Sequence, residues 1–178
     1  MPPAAFTPSF FGATVFATAG TAEKCAACEK LGATKAVNYR QQDFVAVVRA
    51  ATAGAGVDVI LDMVGGDYTA RNLDLLKVEG RLVQIAFLRG AKVELDLSPL
   101  MRKRLTLTGS TLRPRSVAEK GAIAAALAAR VLPLLAAGRV RPLIHETFAL
   151  ARAAEAHAAL EADHHVGKFV LHVETRTL

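Results

Sequence analysis

Four short stretches hold the side chains best suited to bind a ligand. The first is Phe16-Ala17-Thr18-Ala19-Gly20-Thr21-Ala22-Glu23-Lys24, where small neutral residues lead into a helical start with Lys24 one turn in. A helix N-terminus beside an ammonium group suits a phosphate dianion better than a diol. Tyr39 and Arg40, ending the next predicted strand, are placed to close over the same phosphate; an ordinary turn with solvated Lys and Arg fits these residues too. The second stretch is Asp62-Met63-Val64-Gly65-Gly66, whose paired glycines let a ligand approach closely, although a plain turn fits equally. The third, Gln84 to Gly90, runs a strand into a loop of small residues, and the fourth is Thr108-Gly109-Ser110-Thr111-Leu112-Arg113. All four stand at strand ends, where open α/β sheets bind their ligands.

Other reactive groups point nowhere as clearly. Cys25-Ala26-Ala27-Cys28 has the spacing of a redox pair or half a zinc site, but no second CxxC completes it, so two helix-packed thiols are expected. His145, His157, His164, His165 and His172 are scattered over the last third, with His164-His165 expected as a solvated loop pair. No G-x-S-x-G, H-E-x-x-H or Walker A pattern is present, which sets hydrolase and NTPase readings aside. No catalytic side chain and no metal ligand is assigned.

The elements that must position these residues alternate. Strands are expected at 13–17, 36–39, 57–62, 80–85 and 105–111, and helices at 22–31, 43–52, 67–77 and 116–130. Near-continuous Val, Ile and Leu in the strands signals βαβ units and a parallel sheet. Pro133, Gly138 and Pro142 punctuate the chain before strands at 144–148 and 169–173, which flank an alanine-rich helix at 150–162.

Composition bounds the reading. At 178 residues the chain has the length of one domain, and 52% hydrophobic against 21% charged residues excludes an intrinsically disordered protein. Trp is absent and aromatics reach only 6%, so stacking platforms for single-stranded nucleic acid are thin. Lys and Arg number 22 against 16 Asp and Glu, a net charge of +6 that favours anionic partners, including nucleic acid, membrane surfaces and phosphorylated cofactors. Arg102-Lys103-Arg104 is the only tight basic cluster. Two cysteines make no disulfide scaffold, no run of 18 apolar residues spans a membrane, and no basic residue precedes Lys24 as a secretory signal requires. A cytoplasmic protein is expected.

The order of the segments carries a resemblance. Gly12 to Lys24 resembles the second βα unit of the zinc-independent medium-chain dehydrogenase/reductases, in the NADPH:quinone oxidoreductase (zeta-crystallin-like) branch. Leu31-Gly32-Ala33, Asn38-Tyr39-Arg40, Asp43-Phe44, Gly56 to Gly66 and Gly109 to Arg113 follow in the family's order. So do Phe148-Ala149-Leu150, Ala154-Glu155-Ala156-His157 and His165-Val166-Gly167-Lys168. The resemblance implies a homodimeric oxidoreductase, paired through the strand at 105–111, that moves hydride from NADPH to a quinone or enone-type acceptor. It implies that Gly20, Thr21 and Lys24 grip the adenosine 2′-phosphate with Tyr39, in agreement with the placing of Lys24, Tyr39 and Arg40 around a phosphate argued above. It places Val64 beside the ribose and nicotinamide, Ala86, Phe87 and Leu88 at the nicotinamide border, and Ser110, Thr111 and Leu112 near cofactor and substrate. Gly167 and Lys168 would lie by the interdomain cleft. An enoyl-thioester reductase shares much of this pattern, and a non-catalytic nucleotide- or RNA-binding remnant would suit the basic charge.

The chain also departs from that family. The family's catalytic domain, first strand and glycine-rich G-x-G-x-x-G loop have no counterpart here, and the lead Met1 to Phe11 contains no glycine. The expected architecture is an α/β, truncated Rossmann-like doubly wound parallel sheet, whose C-terminal helix and strands belong with the absent catalytic domain. An unmatched lead (1–11), a partial NADP-binding domain (12–143) and a C-terminal return segment (144–178) follow, with the last strands left exposed at their edges. Catalysis by this portion alone is expected to be incomplete.

Overall fold

A computed structural model describes residues 11–173, so the expected lead segment lies outside it except for Phe11. The chain divides into two compact units: the described residues up to Gln42 together with those from Ala125 onward, and Asp43–Ala124. In the first unit, β1 (Phe16–Ala19), α1 (Ala22–Lys30) and β2 (Lys35–Asn38) form a βαβ turn. The two strands are parallel, from Phe16 opposite Lys35 to Ala19 opposite Asn38. β1 lies two to three residues later than its apolar run predicts, because the ladder continues until Ala19, whose carbonyl accepts the Tyr39 N–H at 3.0 Å. Thr21 then caps α1, its hydroxyl accepting the Lys24 N–H at 3.1 Å. The core here consists of small side chains, Ala19, Cys25, Cys28, Ala33 and Ala36. Small residues let the helix backbone lie close to the strands.

The second unit holds α2 (Phe44–Ala51), β3 (Val57–Asp62), α3 (Tyr68–Leu75), β4 (Leu76–Gln84), α4 (Ser98–Arg102) and β5 (Thr106–Gly109). Its strands form one parallel sheet in the order β3-β4-β5. Leu73, Leu76, Leu82 and Leu105 form its core, with Val57, Ile60, Leu95 and Leu100 packed against them. β4 starts four residues before its expected place, directly after α3. Between Val57 opposite Leu76 and Val59 opposite Arg81 the register shifts, and the extra residues include Glu79 at φ 63°.

The basic run is largely spent inside this unit. Lys103 Nζ donates to the carbonyls of Leu73 (3.4 Å), Asp74 (2.6 Å) and Leu76 (3.0 Å), satisfying the C-terminal end of α3. Arg104 pairs with Glu79 at 3.1 Å.

α5 (Val117–Arg130) and α6 (Leu132–Ala136) follow, the latter begun by Pro133, where a proline's missing N–H costs nothing. β6 (Ile144–Ala149) and β7 (Lys168–His172) pair in parallel in the first unit, joined by a 3-10 turn at Leu150–Arg152 and α7 (Ala153–Glu161). Most of their residues are exposed. The hydrogen-bonded pairs β2-β1, β3-β4 and β4-β5 reproduce the neighbours 3-2, 4-5 and 5-6 of the doubly wound order 3-2-1-4-5-6. The fold is therefore the Rossmann-like α/β architecture that the alternation implies. Two expectations are corrected in detail: the strand at 105–111 is confined to Thr106–Gly109, leaving Ser110 and Thr111 in the following loop, and α4 has no counterpart in the sequence pattern. Among the described residues, no helix is long and apolar enough to cross a membrane.

Candidate functional site

The strand ends of the first unit bring Gly20, Thr21, Tyr39 and Arg40 to one corner. Gly20 lies between β1 and the Thr21 cap, and a Cβ added to it would stand 2.8 Å from the Tyr39 hydroxyl and 3.3 Å from Arg40 Nε. The space a side chain would take is thus roofed by the polar tips of two exposed residues. Arg40 is turned into place by Asn38, whose Oδ1 accepts the Arg40 N–H at 3.1 Å. A phenol, a guanidinium and the first turn of a helix make a donor-rich corner suited to an oxyanion.

Lys24 does not lie solvated beside this corner, as an ordinary turn would leave it. Its Nζ is buried and donates to the carbonyl oxygen of Asp163 at 2.8 Å and to its Oδ1 at 2.7 Å. The contact joins residues 139 apart in sequence, so strand-end reasoning had no signal for it. The Lys24 ammonium holds the Asp163 carboxyl below its ordinary pKa, the hydrogen bond contributing most. Two residues on, His165 is buried, which corrects the expectation of a solvated pair; His164 alone is exposed. The His165 ring lies 4.9 Å from Phe169 and 6.1 Å from His145, and among the described residues its Nδ1 has no hydrogen-bond partner. Burial, then the Lys24 charge, lower the His165 pKa, while the Asp163 charge opposes them.

In the second unit the end of β3 is locked to the loop that follows β4. Asp62, buried, accepts the N–H groups of Val64 (2.6 Å) and Gly65 (3.2 Å) and the Asn72 amide (3.1 Å). Gln84 Nε2 donates to the carbonyls of Asp62 (3.3 Å) and Ala86 (2.6 Å). The Leu88 and Arg89 N–H groups reach Met63 O (3.1 Å) and Val64 O (2.8 Å). The paired glycines serve this closure: a Cβ on Gly65 would lie 2.8 Å from Gly90 O, and one on Gly66 2.9 Å from Arg89 O. The close approach that the sequence offered to a ligand is taken by the chain's own backbone. The lock fixes Val64 and Ala86 and presents Phe87 and Leu88 to solvent, at 54% and 67% exposure.

The remaining predicted residues stand apart. Ser110 receives the Arg115 guanidinium at 3.2 Å, while Thr111 and Leu112 are exposed. Gly167 is packed against the Leu143 backbone, and the Lys168 N–H donates to Leu143 O at 2.8 Å. Cys25 and Cys28 are buried free thiols. Burial pushes the Cys28 thiol up to about 11 and raises Cys25, the opposite of what an activated thiolate nucleophile requires.

Residues 31–171 match the family model described as zinc-binding dehydrogenase. Among the described residues no group of three or more His, Cys, Asp or Glu is placed to hold a metal ion. The chain is 33% identical over 168 residues to a 2-haloacrylate reductase of a Burkholderia species, covering 90% of this chain and 48% of the relative. It is 30% identical over 159 residues to quinone oxidoreductase-like protein 2 of Bos taurus, covering 89% and 45%. The crystal structure of Escherichia coli quinone oxidoreductase complexed with NADPH superposes with a TM-score of 0.72 at 28% identity, over 91% of this chain and 51% of that one. The chain thus spans about half the length of the relatives it matches. Fold, segment order and these matches agree, and the chain belongs to the zinc-binding dehydrogenase family of the medium-chain dehydrogenase/reductases.

Proposed function

We propose that this chain is the cofactor-binding portion of an NADPH-dependent oxidoreductase that reduces a quinone or another acceptor with a carbonyl-conjugated double bond. The observation that carries the reading is the corner at Gly20, where Tyr39, Arg40 and the capped start of α1 converge. The 2′-phosphate is the group that separates NADPH from NADH, and this corner supplies donors for it. Gly20 leaves room, the first turn of α1 beyond Thr21 donates N–H groups, and Tyr39 and Arg40 close from above. Lys24 adds an ammonium once released from Asp163. When bound, NADPH supplies the hydride.

The locked loops of the second unit orient rather than react. Val64 would line the ribose and nicotinamide side, and Ala86, Phe87 and Leu88 would border the nicotinamide. Apolar neighbours such as Phe87 and Leu88 exclude water from a hydride donor. Ser110, Thr111 and Leu112, and Gly167 with Lys168, keep the roles the resemblance implies. The outer edge of β5, which among the described residues pairs with β4 alone, supports association with a second copy.

Titration of NADPH into the wild-type chain and the Lys24→Ala variant tests the assignment. Loss of one charge-assisted contact is expected to weaken NADPH binding about tenfold or more and to leave NADH little changed. Equal NADPH affinity in the two proteins would defeat it. NADPH oxidation with a quinone against an enoyl thioester then decides the acceptor class.

A further inference from the structure

The ion pair of Lys24 has an asymmetry that bears on cofactor choice. The Lys24 side chain is 7% exposed, whereas that of Asp163 is 55% exposed. The carboxylate is thus the more accessible partner, and an incoming anion competes with it for the ammonium. Asp163 holds Lys24 twice, through its side chain and through its backbone carbonyl, and only the side chain is free to rotate away. Its backbone, just past α7, stands at φ 54°, a conformation that Asp and Asn tolerate better than most residues.

We propose that Asp163 is a specificity-determining residue: an internal anion that competes with the 2′-phosphate for Lys24 and narrows the preference for NADPH over NADH. The proposal rests on the reading of the Gly20 corner as a 2′-phosphate site. A phosphate dianion meets the carboxylate as a like charge and must displace it. A ribose diol carries no charge and can donate hydrogen bonds to it, as it does to the strand-end Asp or Glu of NAD-selective folds. This chain has no acid at the end of β1, where Thr18-Ala19-Gly20 stand, and Asp163 brings one to Lys24 from the other end of the sequence. With the carboxylate displaced, the Asp163 carbonyl still anchors the ammonium, so Lys24 is kept in place for the phosphate.

Asp163→Asn tests this directly, since it removes the charge while keeping the backbone carbonyl and the tolerance for positive φ. Calorimetric titrations of NADPH and NADH are expected to show NADPH binding about fivefold tighter in the variant, the scale of one partly exposed ion pair, with no tightening for NADH. Asp163→Gly, which also suits that backbone, is expected to give the same direction. Unchanged NADPH affinity in these variants overturns the proposal. So does weaker binding, which would make the carboxylate a support for Lys24 rather than a competitor. Lys24→Ala separates the two levels: NADPH binding indifferent to Lys24 removes the 2′-phosphate reading itself, whereas Lys24-dependent binding that ignores Asp163 overturns this proposal alone. A wild-type chain with no saturable response to NADPH overturns both.

Discussion

Gly20 and Gly65 both follow a parallel strand and both leave out a side chain for something else to occupy, yet different groups take that space. At Gly65 the Gly90 carbonyl takes the space together with the edge of the Phe87 ring, and the residue stands at φ +66°. At Gly20 it belongs to the Tyr39 hydroxyl and the Arg40 guanidinium, tips of flexible side chains that can move. The first arrangement is rigid and complete, with Asp62 and Gln84 satisfying the surrounding polar groups. The second is open and cationic. A glycine closed by backbone builds a scaffold; one covered by movable donors leaves a place for a ligand.

The sharpest way to break this contrast is Gly65→Ala. The substitution forces an L side chain into a left-handed backbone and drives its Cβ against the Phe87 ring and against Gly90 O, which cannot yield without opening the lock. A loss of about 3 kcal/mol in unfolding free energy is expected, read by denaturant titration. A loss below about 1 kcal/mol would show the 87–90 loop to be pliable and the contrast to be one of degree.

How much of this was legible in the sequence follows the range of the interactions. β3 was legible to the residue because Val57, Val59, Ile60 and Leu61 form a β-branched and aliphatic run broken only by Asp58 and closed by Asp62. The start of α2 was legible within one residue from Asp43, whose carboxylate accepts the Val45 N–H at 3.1 Å. That Gly20, Tyr39 and Arg40 share one corner was legible too, as they come from two neighbouring strand ends. The start of β4 was not, since its register shift is set by pairing with β3 rather than by local pattern. Nor was α4, whose five residues are too short for periodicity. The role of Asp163 depends on a contact 139 residues away, and the burial of His165 on its packing against His145 and Phe169, which the pattern of the segment does not encode.

Acid should act on the first unit by a smaller margin, through His165 and the Lys24–Asp163 pair. His165 is buried, and burial together with Lys24 sets its folded pKa below the unfolded value of about 6.5. The unfolded chain then takes up the proton first, so stability is full above about 6.5 and falls as pH drops toward the folded value. Asp163, with its carboxyl lowered by Lys24, adds a second loss at more acidic pH, as pH falls through its folded pKa. Thermal unfolding followed from pH 8 to 5 is expected to show the first decline, and His165→Phe to flatten it. A variant with the wild-type slope would place the titrating group elsewhere.

The smallest stability effect is expected at Gly20. An alanine there needs no unusual φ, and its methyl group displaces only the Tyr39 hydroxyl and the Arg40 guanidinium, which reorient into solvent. The unfolding free energy of Gly20→Ala is therefore expected to stay within about 0.5 kcal/mol of wild type. Its NADPH affinity should fall nonetheless, since the methyl group takes the space and unseats the donors that the proposed phosphate needs. A stable Gly20→Ala protein with undiminished NADPH binding would mean that Tyr39 and Arg40 roof a structural turn. Stability lost there on the scale of Gly65→Ala would mean that their tips are held as firmly as backbone, and the contrast between the two glycines would disappear.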